Sequence, residues 1–122
     1  GLKRLGLSDR IAYRFSPEEL VPAAGQGILA IQTRAGEYAD LLARLNSPDG
    51  ALCAKTERQL ASLLGGVCSA PVGCHAQLHG TDMTLYGFSG IGGVPRYGSV
   101  QGNRNDADLL VQQLASKLTI TE

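Results

Sequence analysis

Hydrophobic and polar positions change their spacing along the chain, and each change predicts a different element. Residues 1–24 show no sustained period and contain two prolines, each of which restricts the residue before it, so we interpret them as a connection. Residues 27–31 form a continuous apolar run, which predicts a strand buried on both faces. Because such strands normally lie inside larger sheets, we expect this run to belong to a larger sheet.

Leucine spacing predicts two helices in the middle of the chain. The first follows Gly36, has apolar residues three and four positions apart, and ends at Asn46. In Ser47-Pro48 a serine N-cap precedes proline at the first helical position, which is typical of a helix start. This second helix ends at Gly65-Gly66. Its apolar face carries Leu52, Thr56, Leu60, Leu63 and Leu64.

Beyond Pro71 the hydrophobic period changes to two, which indicates strands. Residues 72–79 alternate between the two faces, and a Gly80-Thr81-Asp82 turn leads into a second run over 83–89. These two runs predict a hairpin. A glycine-rich turn and a further run over 96–100 predict a third short strand.

The pattern ends with a predicted amphipathic helix. Leu110, Leu114 and Leu118 recur every four residues, and Asn105 or Asp106 can cap the helix. Residues 48–122 thus follow the order helix, three strands, helix. We predict an α+β fold in which a small three-stranded antiparallel sheet packs with helices.

Composition and charge narrow the functional classes. Eleven basic residues balance eleven acidic ones among the 122, so we expect neither nucleic acid nor an anionic membrane as a partner. No apolar run approaches the roughly 18 residues of a membrane span and no signal-peptide core is visible, so we expect a cytoplasmic setting. Three cysteines, an odd number, do not suggest a disulfide framework. The first residue is not methionine, and we expect a fragment of a longer protein.

Two possible ligand-binding motifs do not fit the predicted elements. Gly25-Gln26-Gly27 resembles part of a dinucleotide fingerprint, but that fingerprint needs a helix after it, and here a strand is predicted to follow. Zinc could use Cys68, Cys74, His75 and His79, yet a period-two strand points Cys74 away from both histidines. We therefore predict no metal site.

Cys68 differs from Cys53 and Cys74, which we interpret as small core residues, because it lies in a predicted glycine-rich loop between a helix and a strand. The run from Cys68 to Gly73, Cys-Ser-Ala-Pro-Val-Gly, resembles the cofactor-attachment loop of the porphobilinogen deaminase (hydroxymethylbilane synthase) family. Val67 stands where that family usually has glycine. Three more segments match in the family's order: residues 1–7, residues 22–27 and Thr56-Glu57-Arg58.

The resemblance implies roles for individual residues. In that family a cysteine holds a dipyrromethane cofactor through a thioether, and four porphobilinogen units are condensed onto it with loss of ammonia, in haem biosynthesis. Cys68 would be this anchor. Arg4 matches a family arginine that binds substrate carboxylates. Gln26 and Gly27 would lie near the cofactor crevice.

The resemblance also implies what the chain lacks. The catalytic aspartate and most carboxylate-binding arginines belong to N-terminal domains without a counterpart here, so we expect no catalytic residue in the chain and no activity from it alone. Residues 1–24 would end the middle domain, 25–47 would cross over, and 48–122 would form the cofactor-anchoring domain. We interpret Glu57 and Arg58 as structural residues, in an ion pair that fixes their helix against a neighbouring domain.

Alternatives remain for the function and for the apolar strand. A non-catalytic α+β binding or scaffold module would have the same fold and an unreactive Cys68. A strand without its sheet must find a partner, so we expect residues 25–46 to pair with a second copy of the chain or to pack back on residues 48–122. In the isolated chain we expect Cys68 to be a free thiol without cofactor.

Overall fold

The structure, a computed structural model, describes residues 1–65 and 70–119. Three α-helices are present there: α1 (Ala39–Leu45), α2 (Pro48–Leu63) and α3 (Ala107–Leu118). The strands are β1 (Val72–His79), β2 (Asp82–Ser89) and β3 (Arg96–Asn103). They form an antiparallel sheet in the order β1-β2-β3. The predicted α+β class is confirmed.

One face of the sheet is covered by α2 and α3, and the core lies between these helices and the sheet. The row formed by Cys74, Gly87 and Gly98 faces the helices, because successive residues of a strand point to opposite sides. The core side chains at most 1% exposed are Leu60, Cys74, Met83, Leu85, Leu114 and Leu118. The leucines on the inner face of α3 thus pack against the small residues on the inner face of the sheet, and together they form one core layer.

Helix starts follow the predicted local signals in part. The Ser47 Oγ accepts a hydrogen bond from the Gly50 backbone N–H at 3.1 Å, which confirms the predicted cap of α2. Asp106 occupies the N-cap position of α3 but makes no capping hydrogen bond with its side chain. Instead, the Asn103 Oδ1 accepts from the Asn105 N–H at 2.8 Å in the turn before α3.

The third strand is longer than its hydrophobic pattern predicted. We expected it over 96–100, and β3 continues to Asn103. The added residues pair with the start of β2, where Asp82 is opposite Asn103. Ladder hydrogen bonds to β2 therefore extend the strand through residues of low β propensity.

The strand predicted over 27–31 does not form in this chain, and its place in a sheet of missing domains stays a prediction. Within residues 1–65 and 70–119 the strands are β1, β2 and β3, and 28–34 has no regular structure. The Leu29 and Ile31 side chains are 95% and 60% exposed. A strand needs a neighbour that satisfies its backbone groups, and no described segment pairs with these residues. The helix predicted after Gly36 forms as α1.

Candidate functional site

The segment that carries Cys68 connects the end of α2 to the start of β1. Cys68 itself lies outside the described residues. On one side of the segment, Gly65 has a φ of +115°, and a Cβ there would lie 2.9 Å from the Ile91 Cδ1. On the other side, the Pro71 carbonyl accepts from the Gly90 N–H at 2.8 Å. Both ends of the segment therefore lie close to the β2–β3 connection.

Cys53 and Cys74 are free thiols whose ionisation is disfavoured by burial. Cys74 is fully buried, and burial, aided by the nearby Glu57 carboxylate, raises its pKa to about 12. Burial also raises the pKa of Cys53, with smaller contributions from Glu57 and Asp49. Because the thiolate is the nucleophile, neither residue suits covalent chemistry near neutral pH.

Glu57 joins three parts of the chain through a buried carboxylate. Its Oε1 accepts from the Gly25 N–H at 2.8 Å, and its Oε2 accepts from the Ala76 N–H at 2.9 Å. The His75 Nδ1 is 3.8 Å from the same Oε2. Arg58 is exposed, and the structure shows no ion pair for it within 1–65 and 70–119, so the expected ion pair with a neighbouring domain stays a prediction.

Sequence reasoning did not find this role of Glu57. The signal was its position: Glu57 is four residues after Cys53 and three before Leu60, on the buried face of α2. A carboxylate on such a face must find hydrogen-bond donors, because an unpaired buried charge is costly. The sequence alone cannot show that those donors are backbone N–H groups of distant segments.

Gln26 and Gly27 lie in an exposed turn beside β1. Gly25 and Gly27 have φ values of +77° and +83°, which glycine adopts without strain. The Gln26 Oε1 accepts from the Ala23 N–H at 3.1 Å, which closes the turn. The side chains of Gln26 and His75 line a cavity of about 410 Å³ between this segment and β1.

Arg4 is exposed in the N-terminal turn. The structure shows neither a hydrogen bond nor an ion pair for its side chain among the described residues. Arg4 does not line the cavity that Gln26 and His75 share. The structure therefore does not bring these predicted site residues together in one pocket.

The zinc alternative finds no support in the part of the chain that the structure describes. There, no group of three His, Cys, Asp or Glu residues is arranged to hold a metal ion. Cys74 faces the helices, whereas His75 and His79 lie on the opposite face of β1. Within the same residues, no helix is long and apolar enough to cross a membrane.

Comparisons with known proteins match both ends of the chain. The family model described as porphobilinogen deaminase, dipyrromethane cofactor binding domain, matches residues 1–41. The model of the porphobilinogen deaminase C-terminal domain matches residues 51–119.

Curated relatives carry the same name. The porphobilinogen deaminase of Thiobacillus denitrificans is 43% identical over 97% of this chain and 40% of its own length. Those of Chromobacterium violaceum and Ruminiclostridium josui are 44% and 38% identical, again over 97% of this chain, and over 40% and 41% of their own lengths. The chain thus spans about 40% of the length of these relatives. It belongs to the porphobilinogen deaminase family.

Proposed function

We propose that this chain is the cofactor-anchoring C-terminal part of an enzyme that condenses four porphobilinogen units into hydroxymethylbilane with release of ammonia. The observation that carries the proposal is the Cys68-to-Gly73 motif, which follows α2 in a chain that matches the family at both ends. The remaining N-terminal domains of the family would supply the catalytic aspartate. Residues 1–24, 25–47 and 48–122 would be the end of the middle domain, the crossover and the anchoring domain.

Cys68 is the residue we assign to the dipyrromethane. A thioether needs a nucleophilic sulfur, and the two cysteines that the structure describes are suppressed by burial. When bound, the dipyrromethane supplies the pyrrole carbon to which substrate units are added. The free thiols of Cys53 and Cys74 also fit a reducing, cytoplasmic setting.

Arg4 is the residue we assign to substrate carboxylates. Porphobilinogen carries acetate and propionate groups, and a guanidinium binds such groups through two parallel hydrogen bonds. The exposed Arg4 side chain is available for this contact. Gln26 and Gly27 would line the edge of the cofactor crevice. They belong to the turn whose Gly25 N–H donates to Glu57.

A chimera tests the proposal. This chain replaces the matching 40% of the Thiobacillus denitrificans protein, and intact mass and turnover are measured for the parent, Cys68→Ser, and a Cys53→Ser/Cys74→Ser control. We expect a cofactor adduct and activity in the parent and the control, and neither in Cys68→Ser.

Two results would contradict this assignment. An adduct that persists in Cys68→Ser would move the anchor elsewhere. A folded, monodisperse parent chimera without adduct would favour the non-catalytic scaffold alternative.

A further inference from the structure

The Glu57 carboxylate links α2, which carries it, to β1 and to the turn at residues 25–27. We call this pair of hydrogen bonds, from Gly25 and Ala76 to Glu57, the latch. Its side chain is 2% exposed, and each carboxylate oxygen accepts from a different backbone N–H. The two donors, Gly25 and Ala76, come from opposite sides of α2 in the sequence. The contact is therefore a link between distant segments and not a local helix interaction.

This link occupies the outer edge of β1. The Cys74 N–H donates to the Pro22 carbonyl at 2.8 Å, and the next outward N–H, that of Ala76, donates to Glu57. Alternate N–H groups of an edge strand point away from the sheet and need acceptors. The Pro22 carbonyl therefore satisfies one outward N–H of this edge, and the Glu57 carboxylate satisfies the next one.

Close packing supports the same arrangement. A Cβ at Gly73 would lie 2.6 Å from the Val21 carbonyl oxygen, so the backbone of residue 21 rests directly on β1. Ala24 packs against the core cluster. The segment over 21–25 is therefore attached to the C-terminal unit by the Cys74–Pro22 backbone hydrogen bond, by the Glu57 carboxylate and by the apolar contact of Ala24.

We propose that Glu57 is a positioning residue that sets the orientation of the 25–27 turn relative to α2, and through α2 relative to the segment that carries Cys68. It does not act as a proton donor or acceptor in catalysis, because both oxygens are buried and engaged. The consequence for Cys68 rests on the proposed function. The latch itself rests only on the contacts of Gly25 and Ala76 with Glu57.

Amide hydrogen exchange of the 122-residue chain tests the latch directly. Glu57→Gln keeps the shape of the side chain but has one acceptor oxygen in place of two. We expect exchange at the Gly25 N–H or the Ala76 N–H to become about 10-fold faster or more, as the loss of a hydrogen bond to a charged group implies. Glu37→Gln removes an exposed carboxylate and is the control, with unchanged exchange at both amides.

Two results would overturn the latch. The first is equal exchange rates at both amides in the parent and Glu57→Gln. The second is an unprotected Gly25 N–H in the parent, which is decisive even if the variant fails to fold.

The chimera then tests the link to Cys68. In Glu57→Gln we expect the turnover per adduct-bearing molecule to fall about 10-fold or more, with turnover unchanged in Glu37→Gln. Unchanged turnover in Glu57→Gln would overturn the link. A parent chimera without adduct would count against the proposed function alone, because the exchange result does not depend on a cofactor.

Discussion

Gly87 of β2 lies directly under Leu118 of α3. A Cβ built on Gly87 would be 2.5 Å from the Leu118 Cδ1 and 3.0 Å from the Leu114 Cδ2. Both leucine side chains are buried, at 1% and 0% exposed. The absence of a side chain at position 87 therefore sets how closely α3 approaches the sheet.

Gly87→Ala should destabilise the C-terminal unit. Overpacking a dense core costs about 1–3 kcal/mol, which exceeds the gain of about 0.4–1 kcal/mol from a less flexible unfolded chain. Gly98→Ala is the graded control, because its Cβ would meet the Leu114 Cδ1 at the longer distance of 3.1 Å. Urea unfolding should rank the parent above Gly98→Ala and Gly98→Ala above Gly87→Ala. An equally stable Gly87→Ala protein would contradict this account of the packing.

Cys74 should make the chain less stable in alkaline solution. Its pKa is raised from 9.0 to about 12 by burial, so the neutral thiol is favoured in the folded state. The stabilisation is complete below pH 9 and is lost as the pH rises toward 12, because the unfolded thiol ionises first. Across this window the contribution is on the order of 4 kcal/mol.

The variant Cys74→Ala isolates this effect. It should be less stable than the parent near pH 7, because it removes a buried sulfur, and its stability should decline less between pH 9 and 11. Urea midpoints at several pH values measure the difference in slope. Parallel curves for the two proteins would show that the Cys74 ionisation does not contribute.

Arg4→Lys should impair the chimera without affecting its folding. Lysine keeps the charge but lacks the planar fork that binds a carboxylate through two hydrogen bonds. We expect kcat/KM to fall roughly 10-fold, the effect of about 1.4 kcal/mol of lost binding, while the melting temperature stays constant. Lys3→Gln is the neighbouring control. Unchanged kinetics would indicate that Arg4 is a solvated charge without a role in substrate binding.

Residues 25–46 should drive association of the isolated chain. Leu29 is 95% exposed and Ile31 is 60% exposed, and their backbone groups have no strand partner among the described residues. We expect sedimentation equilibrium to show a dimer for the parent and a monomer for Leu29→Lys/Ile31→Lys. Leu109→Lys, at a 56% exposed leucine of α3, is the matched control and should still associate. A monomeric parent at all concentrations would disprove this expectation.

The local sequence determined most of the C-terminal unit. As predicted, α2 begins at Ser47-Pro48, the leucines of α3 are buried on one face, and the side chains of β1 alternate between the two faces of the sheet. Helix starts and periodic faces depend on neighbours within one or two turns, so short windows of sequence contain that information. The motif from Cys68 to Gly73 likewise indicates the family, and the matching family models confirm it.

Only the tertiary structure decided the features that depend on residues far apart in the chain. The apolar run over 27–31 has the composition of a strand, but no strand pairs with it within residues 1–65 and 70–119. Residues 101–103 have a poor strand pattern and still extend β3, because the start of β2 lies beside them. The Glu57 carboxylate finds its donors at Gly25 and Ala76, 32 and 19 positions away. Hydrogen bonds between residues so far apart form only when the chain has folded, so no periodicity in the sequence predicts them.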